Sequence, residues 1–358
     1  MTQEKNIGNV YLQFIAYLQI IGIILVVLGH SFHEYPDGYG GSSLLLYRMI
    51  YSFHMPLFVF LSGFLMIFTT RTRNFRAPGI WDFTRKKVLR LLLPFVVLTL
   101  VTFIPRVLLS DYADDAKELT LTAFARAFIY HRDLVHPYLW FLQVIFTLLV
   151  LSYIFINLLE KTHAGHKAVY LTLLLFFIIA RSRVFDFTDV FSFGETLYLG
   201  VFFAAGILFC HYMPQIDRYI RWTSPAVFAG FGAGWAVLFF LTENTPYDVF
   251  CSFAGISMCV SLARILEARD IHLLDHLHGA NYLIFLTSWY MNVLTQQILH
   301  HFTDFPWWLY TILSLTAGIY VPWLGYRWLR KHRDSRWARV CAFLLGQSWV
   351  RAGSENLT

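Results

Sequence analysis

The sequence predicts an all-α polytopic integral membrane protein, a helical bundle of about ten transmembrane helices with both termini on the cytoplasmic side. Three observations predict this fold class. The chain is 57% hydrophobic and only 14% charged, whereas soluble proteins carry about 25% charged residues. Apolar stretches long enough to cross a bilayer recur along the whole chain. Basic residues cluster in alternate connecting segments, as expected of loops on the cytoplasmic side.

The ten predicted helices follow from segment length. A hydrocarbon core of roughly 30 Å needs about 20 helical residues at 1.5 Å each. The segments are residues 11–32, 44–69, 87–109, 137–159, 168–181, 195–213, 223–241, 248–265, 279–299 and 307–328. The fifth is the shortest, and if it re-entered the membrane on one side, every later helix would be reversed. We predict one membrane domain over residues 1–330 and a basic cytoplasmic tail over residues 331–358.

The charge distribution supports this layout. With the N-terminus inside, the cytoplasmic segments hold 21 of the 28 Lys and Arg residues, and the opposite loops hold 13 of the 22 Asp and Glu residues. The net charge of +6 thus comes mainly from the basic residues that mark the cytoplasmic side, and it gives some affinity for anionic lipid headgroups. It gives no reason to invoke nucleic acid. The first apolar run lacks a small-residue cleavage pattern and is expected to be a retained span. The four cysteines form no Cys-x-x-Cys pair, so we expect neither disulfides nor a metal site.

The first segment ends in a polar cluster, Gly29-His30-Ser31-Phe32-His33-Glu34. Ionisable groups inside a span cost about 2.5 to 3.5 kcal/mol at a helix centre, so they suggest function. Gln19 lies eleven residues before His30, three helical turns away on the same face and about 16 Å distant. Imidazole suits general-base catalysis because it titrates near neutrality. Alternatively, His30 and His33 cap the helix and bond to neighbouring loops.

The second segment contains Tyr51-Ser52-Phe53-His54-Met55-Pro56 and continues through Ser62. Pro56 has no N–H, so the Ser52 carbonyl loses its helical partner in the same turn as His54. A broken helix at membrane depth is tolerated where it is buried in protein or lines a polar cavity. His54 and Ser62 are therefore candidate site residues, although a lone histidine in a helix also serves as a packing residue.

The third segment begins at a basic entrance with Arg85, Lys86, Lys87 and Arg90, followed by Pro94. Lys87 and Arg90 are three residues apart and are expected to share a face, and Pro94 frees the Arg90 carbonyl and loosens that turn. Two cations facing the cytosol could hold the phosphates of a nucleotide-like donor. Positive-inside anchoring alone explains the same residues.

Polar and aromatic groups also occur on the predicted outer side. Arg48 lies at the start of the second segment, Pro137, Tyr138 and Trp140 open the fourth, and Glu195 opens the sixth. Tyrosine and tryptophan are typical interfacial anchors, and aromatic faces beside charged groups are equally typical of a sugar-binding surface. Both interpretations stay open.

The tail contains apolar residues spaced as on one side of a helix. Such a helix could lie along the membrane interface. The residues are Trp337, Val340, Phe343, Leu344 and Trp349.

Four stretches of the chain together resemble the acyltransferase-3 family of membrane acyltransferases, in particular its branch of fucose and capsular-polysaccharide O-acetyltransferases. The first three are spaced as in that family, and the ten-span layout covers essentially the whole chain. The stretches are Ile24-Leu25-Val26-Val27-Leu28-Gly29-His30-Ser31, Phe53-His54-Met55-Pro56-Leu57-Phe58 with Leu61-Ser62-Gly63-Phe64, Lys87-x-x-Arg90 with Pro94, and Leu139-Trp140-Phe141-Leu142.

The resemblance implies transfer of an acyl group, usually acetyl, from acyl-CoA to a hydroxyl of a cell-surface or lipid-linked carbohydrate. Acyl-CoA would be a co-substrate, with no permanently bound cofactor, and the location would be the bacterial cytoplasmic membrane. By the same resemblance His30 is the catalytic base, and Lys87 with Arg90 is the donor-binding basic pair. From the residues around them we further expect His54 to be catalytic and Arg85 and Gln19 to bind the donor. The expected acceptor-binding residues are Arg48, Ser62, Trp140 and Glu34.

The chain departs from the family pattern at three points. Gln19 stands where the family usually has arginine, and Lys87 replaces the first arginine of the basic pair. The late Ser-x-x-x-Tyr-x-x-His pattern is missing, with Thr287-Ser288-Trp289 in that neighbourhood. These departures concern donor binding more than the class of reaction.

The expected mechanism has acyl-CoA docking from the cytosol on the basic entrance, with its pantetheine arm between the first three spans. His30 would take the proton of the acceptor hydroxyl, and His54, Ser62 or a freed helix N–H region would stabilise the oxyanion. The alternative class is a transporter or flippase of a lipid-linked sugar, in which the same polar residues line a substrate path. We find no inverted repeat or paired broken helices that would favour it.

Overall fold

The structure is a computed structural model of the 358-residue chain. It describes residues 2–32, 41–71, 79–108, 120–130, 137–162, 165–182, 190–242, 245, 247–303 and 305–347. These residues form fourteen α-helices, and their one β contact is an isolated bridge between Tyr130 and Val190. The predicted all-α polytopic membrane fold is confirmed.

The helices in chain order are α1 (Thr2–Ser31), α2 (Gly41–Tyr51), α3 (His54–Arg71), α4 (Ile80–Lys87), α5 (Leu93–Leu108), α6 (Leu121–Ile129), α7 (Trp140–Glu160), α8 (His166–Ser182), α9 (Phe193–Tyr219), α10 (Pro225–Leu241), α11 (Val249–Ala268), α12 (Asn281–Phe302), α13 (Trp307–Lys331) and α14 (Arg336–Leu344).

Each of the ten predicted segments contains at least one of these helices. Among the described residues, five stretches are long and apolar enough to cross a membrane, and α10 is a shorter apolar helix. The five are Gln13–Ser31, Ser42–Thr69, Trp140–Glu160, Phe193–Tyr219 and Val249–Ala268. That the other segments also cross stays a prediction.

Both predicted proline effects are visible in the backbone. The second segment is broken between α2 and α3 at Ser52 and Phe53, one turn before Pro56. A π-helical turn, Val88–Leu92, separates α4 from α5 just before Pro94, and π turns are frequent at functional sites.

The chain packs as two compact units. Unit 1 comprises residues 1–61 and 212–331, and unit 2 comprises residues 62–211 and 332–358. The divisions fall inside α3 and α9, so each of these helices belongs partly to unit 1 and partly to unit 2. The predicted division at residue 330 stays a prediction.

Unit 1 is built around α1, which packs against α11, α12 and α13. Phe14, Ile20 and Val26 are buried on α1, and their positions point about 120° apart around a helix of 3.6 residues per turn. A helix that is apolar on all sides is expected in such a central position.

Polar contacts fix α1 at the end opposite His30. The Glu267 carboxylate on α11 accepts a hydrogen bond of 3.1 Å from the Phe14 N–H and pairs with Arg264 at 3.2 Å. Arg264 also pairs with Asp217 at 3.2 Å. The Tyr17 hydroxyl donates to the Ile271 carbonyl at 2.9 Å. We call the two ends of unit 1 the Phe14 end and the His30 end.

The helix directions in unit 1 follow from these pairings. Helix α12 runs parallel to α1, because Asn292 bonds to Val27 and Gln296 bonds to Ser31, four residues further along both helices. Helix α11 runs the opposite way, since Ser252 contacts Ser52 beside the His30 end and Glu267 contacts the Phe14 end. A chain that alternates over ten spans requires these directions. That the fifth segment crosses the membrane stays a prediction.

Unit 2 contains the basic entrance and the tail. Helix α7 packs against α8, α4 and the π turn, and α14 packs on α5. On α14, Ala338 and Ala342 are buried, whereas Trp337, Val340 and Phe343 are exposed. The predicted amphipathic character of the tail is therefore present over Arg336–Leu344, and Trp349 lies outside the described residues.

Candidate active site

His30 lies in the last turn of α1, one residue before the helix ends at Ser31. Its side chain is half-buried, so the imidazole is shielded from bulk solvent without being sealed inside the bundle. Its Nδ1 is 3.4 Å from the Tyr51 hydroxyl, which is a long hydrogen bond. The tautomer that carries its proton on Nδ1 donates to Tyr51 and keeps Nε2 as a proton acceptor.

Tyr51 links the two histidines that the sequence singles out. Its ring lies edge-on to His54, with 4.5 Å between centroids, and edge-on to His30, with 6.3 Å between centroids. It also packs on Tyr47 at 4.0 Å. Gly29 allows this approach, because a Cβ there would lie 3.1 Å from a Tyr51 ring carbon. We call His30, Tyr51 and His54 the histidine–tyrosine cluster.

His54 is buried at the first turn of α3. Its Nδ1 lies 2.9 Å from the Ile50 carbonyl. A carbonyl only accepts, so this contact places a proton on Nδ1. The neutral His54 side chain therefore has an unprotonated Nε2.

The broken helix beside His54 is held by side chains from α10 and α11. The Ser52 carbonyl, which Pro56 deprives of its helical partner, accepts a hydrogen bond of 2.8 Å from the Ser252 hydroxyl. The Ser52 hydroxyl accepts a bond of 3.0 Å from the Trp235 indole N–H. This explains how a helix break is tolerated at membrane depth, because its exposed polar groups find partners within the protein.

Two predicted residues lie at other places along the first two segments. Gln19 is half-buried on α1, three turns before His30. Arg48 is exposed on α2 and its carbonyl accepts from the Ser52 N–H at 3.0 Å. Glu34 lies outside the described residues, as does His33.

The basic entrance lies in unit 2. The Lys87 ammonium lies 5.0 Å from the centroid of the Phe83 ring, and Phe83 stacks on Tyr153 with 4.0 Å between centroids. Lys87 is half-buried and follows Phe83 by four residues, so it leans inward, whereas Arg90 is exposed within the π turn. Arg85 is exposed on α4.

Two further predicted residues also belong to unit 2. Ser62 is half-buried in α3, eight residues after His54. Trp140 is half-buried at the first position of α7, directly after the short 3₁₀ turn Pro137–Leu139. Pro137 opens this 3₁₀ turn and precedes α7 by three residues.

Comparison with known families identifies the chain. A family model described as an acyltransferase domain, that of the acyltransferase-3 family, matches residues 12–346. The chain belongs to the acyltransferase-3 family. We find no match among the curated proteins or among the solved structures. The family match covers both the histidine–tyrosine cluster and the basic entrance.

The acyltransferase holds its histidines with residues that the sequence did not single out. Tyr51 belongs to the motif of the second segment, but its sequence position does not mark it as functional, because aromatic residues are common in membrane spans. Asn292 and Gln296 on α12 are buried and bond to the last turn of α1. Their signal was present: with Ser288 they recur every four residues in an apolar segment, which places three polar groups on one helix face.

Proposed function

We propose that this membrane acyltransferase moves an acyl group, most simply acetyl, from acyl-CoA to a hydroxyl of a cell-surface or lipid-linked carbohydrate, with His30 as the general base. The observation that carries the proposal is the histidine–tyrosine cluster at the end of α1 in a chain whose family match spans nearly its whole length. The acyl donor and the acceptor rest on the resemblance to O-acetyltransferases.

The chemistry asked of His30 is a single proton transfer. The acceptor oxygen attacks the thioester carbonyl, His30 Nε2 takes the hydroxyl proton, and the CoA thiolate leaves with the electrons of the broken C–S bond. That thiolate, or the thiol formed after protonation from imidazolium, is the second product. Tyr51 supports the reaction by holding Nδ1, which fixes the ring and its tautomer.

For His54 we propose a positioning role in place of oxyanion stabilisation. An oxyanion needs a donor, and neutral His54 already uses its one N–H on the Ile50 carbonyl. Its ring instead packs against Tyr51, so it supports the residue that holds His30.

Lys87, Arg90 and Arg85 are proposed to bind the phosphates of acyl-CoA. Lys87 lies on an aromatic platform of Phe83 and Tyr153, which restricts a side chain that otherwise has about 2 kcal/mol of rotamer entropy. Gln19 is proposed to contact the donor as a neutral hydrogen-bonding group. Arg48, Ser62, Trp140 and Glu34 remain proposed acceptor contacts, and the bacterial cytoplasmic membrane remains the proposed location.

The test compares surface glycans from cells that lack the gene with glycans from the same cells complemented by wild-type protein or by His30→Ala. Mass spectrometry should detect one added acyl group per modified sugar only with the wild-type protein. His166→Ala is the matched control, because His166 is an exposed histidine at the start of α8 and should complement fully. Identical glycan masses with and without the wild-type gene would contradict the proposed acceptor class.

A further inference from the structure

The last turn of α1, which carries His30, is held by two amide side chains of α12. Gln296 Nε2 donates to the Ser31 carbonyl at 2.9 Å and Asn292 Nδ2 donates to the Val27 carbonyl at 3.1 Å. The Ser31 carbonyl is among the last four of the helix, which have no partner within it. Both amides are buried, Asn292 with no exposed surface and Gln296 with 3%. We call these two contacts the α12 clamp.

The spacing of the clamp fixes both the rotation and the register of α1. Its two donors are four residues apart on α12, and its two acceptors are four residues apart on α1. One contact would leave the end of α1 free to turn about it. Two contacts on adjacent turns hold the helix face, and His30 lies between the two acceptor positions in the sequence.

Helix α13 closes the third side of the clamp. Gln296 Nε2 also donates to the Ser314 hydroxyl at 3.3 Å, and that hydroxyl donates to the Asn292 carbonyl at 3.4 Å. Gly318 lies directly against the Asn292 amide, because a Cβ at this glycine would meet the Asn292 Oδ1. The amide of Asn292 is therefore confined between two helices.

Stability alone does not account for amides at these positions. Asn292 Oδ1 is buried and has no hydrogen-bond partner among the described residues. Burying an unpaired polar atom lowers the free energy of unfolding. Apolar side chains would pack these three helices without that cost, since interhelical polar contacts contribute only about 0.6 kcal/mol on average in a measured membrane protein. What the amides add is a defined register at the helix end where the candidate base lies.

We propose that Asn292 and Gln296 are positioning residues that hold the end of α1 in the rotation and register from which His30 accepts a proton. The inference rests on the proposed function, since it assigns His30 the role of base. Without the clamp, the last turn of α1 would fray as helix ends do, and His30 would sample orientations in which Nε2 does not reach the acceptor hydroxyl.

The test compares Gln296→Met with Gln297→Met in the purified full-length protein. Gln296 is buried and its neighbour Gln297 is exposed, so the pair matches in residue type and helix. Gln296→Met should lower kcat about tenfold, equivalent to 1.36 kcal/mol, and leave the KM for acyl-CoA unchanged. Gln297→Met should match wild type in both constants.

A second readout does not depend on turnover. Diethyl pyrocarbonate modifies exposed imidazoles, and peptide mass spectrometry reports the rate at His30 separately from other histidines. Gln296→Met should raise the rate at His30 severalfold and leave the rate at the exposed His166 unchanged. If the wild-type protein shows no acyl-CoA turnover, the proposed function fails while this labelling still decides whether the clamp holds His30.

The clamp is overturned if Gln296→Met has wild-type kcat and a wild-type labelling rate at His30, or if both variants change equally. Should Gln296→Met not accumulate as folded protein, Gln296→Asn replaces it. That variant keeps the amide but is one methylene too short to reach Ser31, so it should show the same loss of kcat at constant KM. Wild-type behaviour of Gln296→Asn would contradict the proposal.

Discussion

Tyr51 is the residue that contacts both His30 and His54. Its hydroxyl contacts one imidazole and its ring packs on the other. A tyrosine in this position restricts the orientation of His30 without adding a charge, and a buried charge would be costly at membrane depth. The cluster is therefore compatible with a neutral base.

Replacing Tyr51 by phenylalanine should separate its hydroxyl contact with His30 from its ring contact with His54. Tyr51→Phe keeps the ring against His54 and removes the hydroxyl 3.4 Å from His30 Nδ1. Loss of one hydrogen bond of roughly 1 kcal/mol should lower kcat about fivefold, with no change in the KM for acyl-CoA. Steady-state kinetics measure both. Tyr219→Phe is the control, because Tyr219 is 85% exposed, and an equal effect of both variants would contradict the role of Tyr51.

At this scale the sequence predicted the polar residues better than their partners. His30 and His54 were identifiable because an ionisable group inside a span is costly and needs a reason. Tyr51 was not, since aromatic residues occur throughout the spans. The hydrogen bond from His54 to the Ile50 carbonyl was also not predictable, because it depends on the local geometry of the break.

The break between α2 and α3 loses a hydrogen bond within the helix and gains one from a neighbouring helix. Pro56 removes one helical hydrogen bond, and Ser252 on α11 supplies a replacement for the Ser52 carbonyl at 2.8 Å. The proline effect was predictable from the sequence. The partner, 200 residues away along the chain, was not.

Removing that partner should destabilise unit 1. Ser252→Ala leaves a buried carbonyl unpaired, which costs about 1 to 3 kcal/mol, so the Tm of the detergent-solubilised protein should fall. Ser257→Ala is the matched control, because Ser257 is a half-buried serine of the same helix. An unchanged Tm in Ser252→Ala would show that the break does not depend on this contact.

The platform beneath Lys87 makes a separate prediction for the basic entrance. A cation above an aromatic face gains about 0.5 to 1 kcal/mol at an exposed site, and Phe83 provides that face. Phe83→Leu should raise the KM for acyl-CoA about twofold to fivefold and leave kcat unchanged. Phe240→Leu, at a side chain that is 62% exposed, should change neither constant. A fall in kcat at constant KM would contradict a role of Lys87 in donor binding.

The segment between α11 and α12 should make stability depend on pH. His272 lies between two carboxylates, with Nδ1 2.6 Å from Asp275 and Nε2 3.0 Å from Asp270. These hydrogen bonds raise the pKa of His272. A raised folded-state pKa contributes stability that is fully present below the unfolded value of about 6.5. That contribution is lost as the pH rises through the folded value.

The Tm difference between wild type and His272→Gln should therefore be largest in acid and shrink as the pH rises. Differential scanning fluorimetry across this range measures it. The same comparison in an Asp275→Asn background should show a smaller dependence on pH, because the hydrogen bond that His272 donates to Asp275 is the largest cause of its raised pKa. A difference that does not vary with pH would contradict this account.

For the whole molecule, the fold class and the order of the spans were predictable because lipid imposes strong constraints. Backbone groups must be satisfied within each segment, and basic residues stay on one side. The parallel direction of α1 and α12 agrees with that order. What could not be predicted is which spans pack together, because apolar side chains contact any neighbour and only a few polar groups specify partners. The grouping into two compact units belongs to that unpredictable part.

The most direct test of the central claim is acyl-CoA turnover by the purified protein in detergent, where no sealed compartment exists and transport cannot contribute. Release of the CoA thiol is followed with a carbohydrate acceptor for wild type and His30→Ala. We predict acceptor-dependent release by wild type and a loss of at least about a hundredfold in His30→Ala, the lower range of general-base catalysis. Turnover by folded His30→Ala at the wild-type rate would contradict the claim, as would folded wild-type protein that never consumes acyl-CoA.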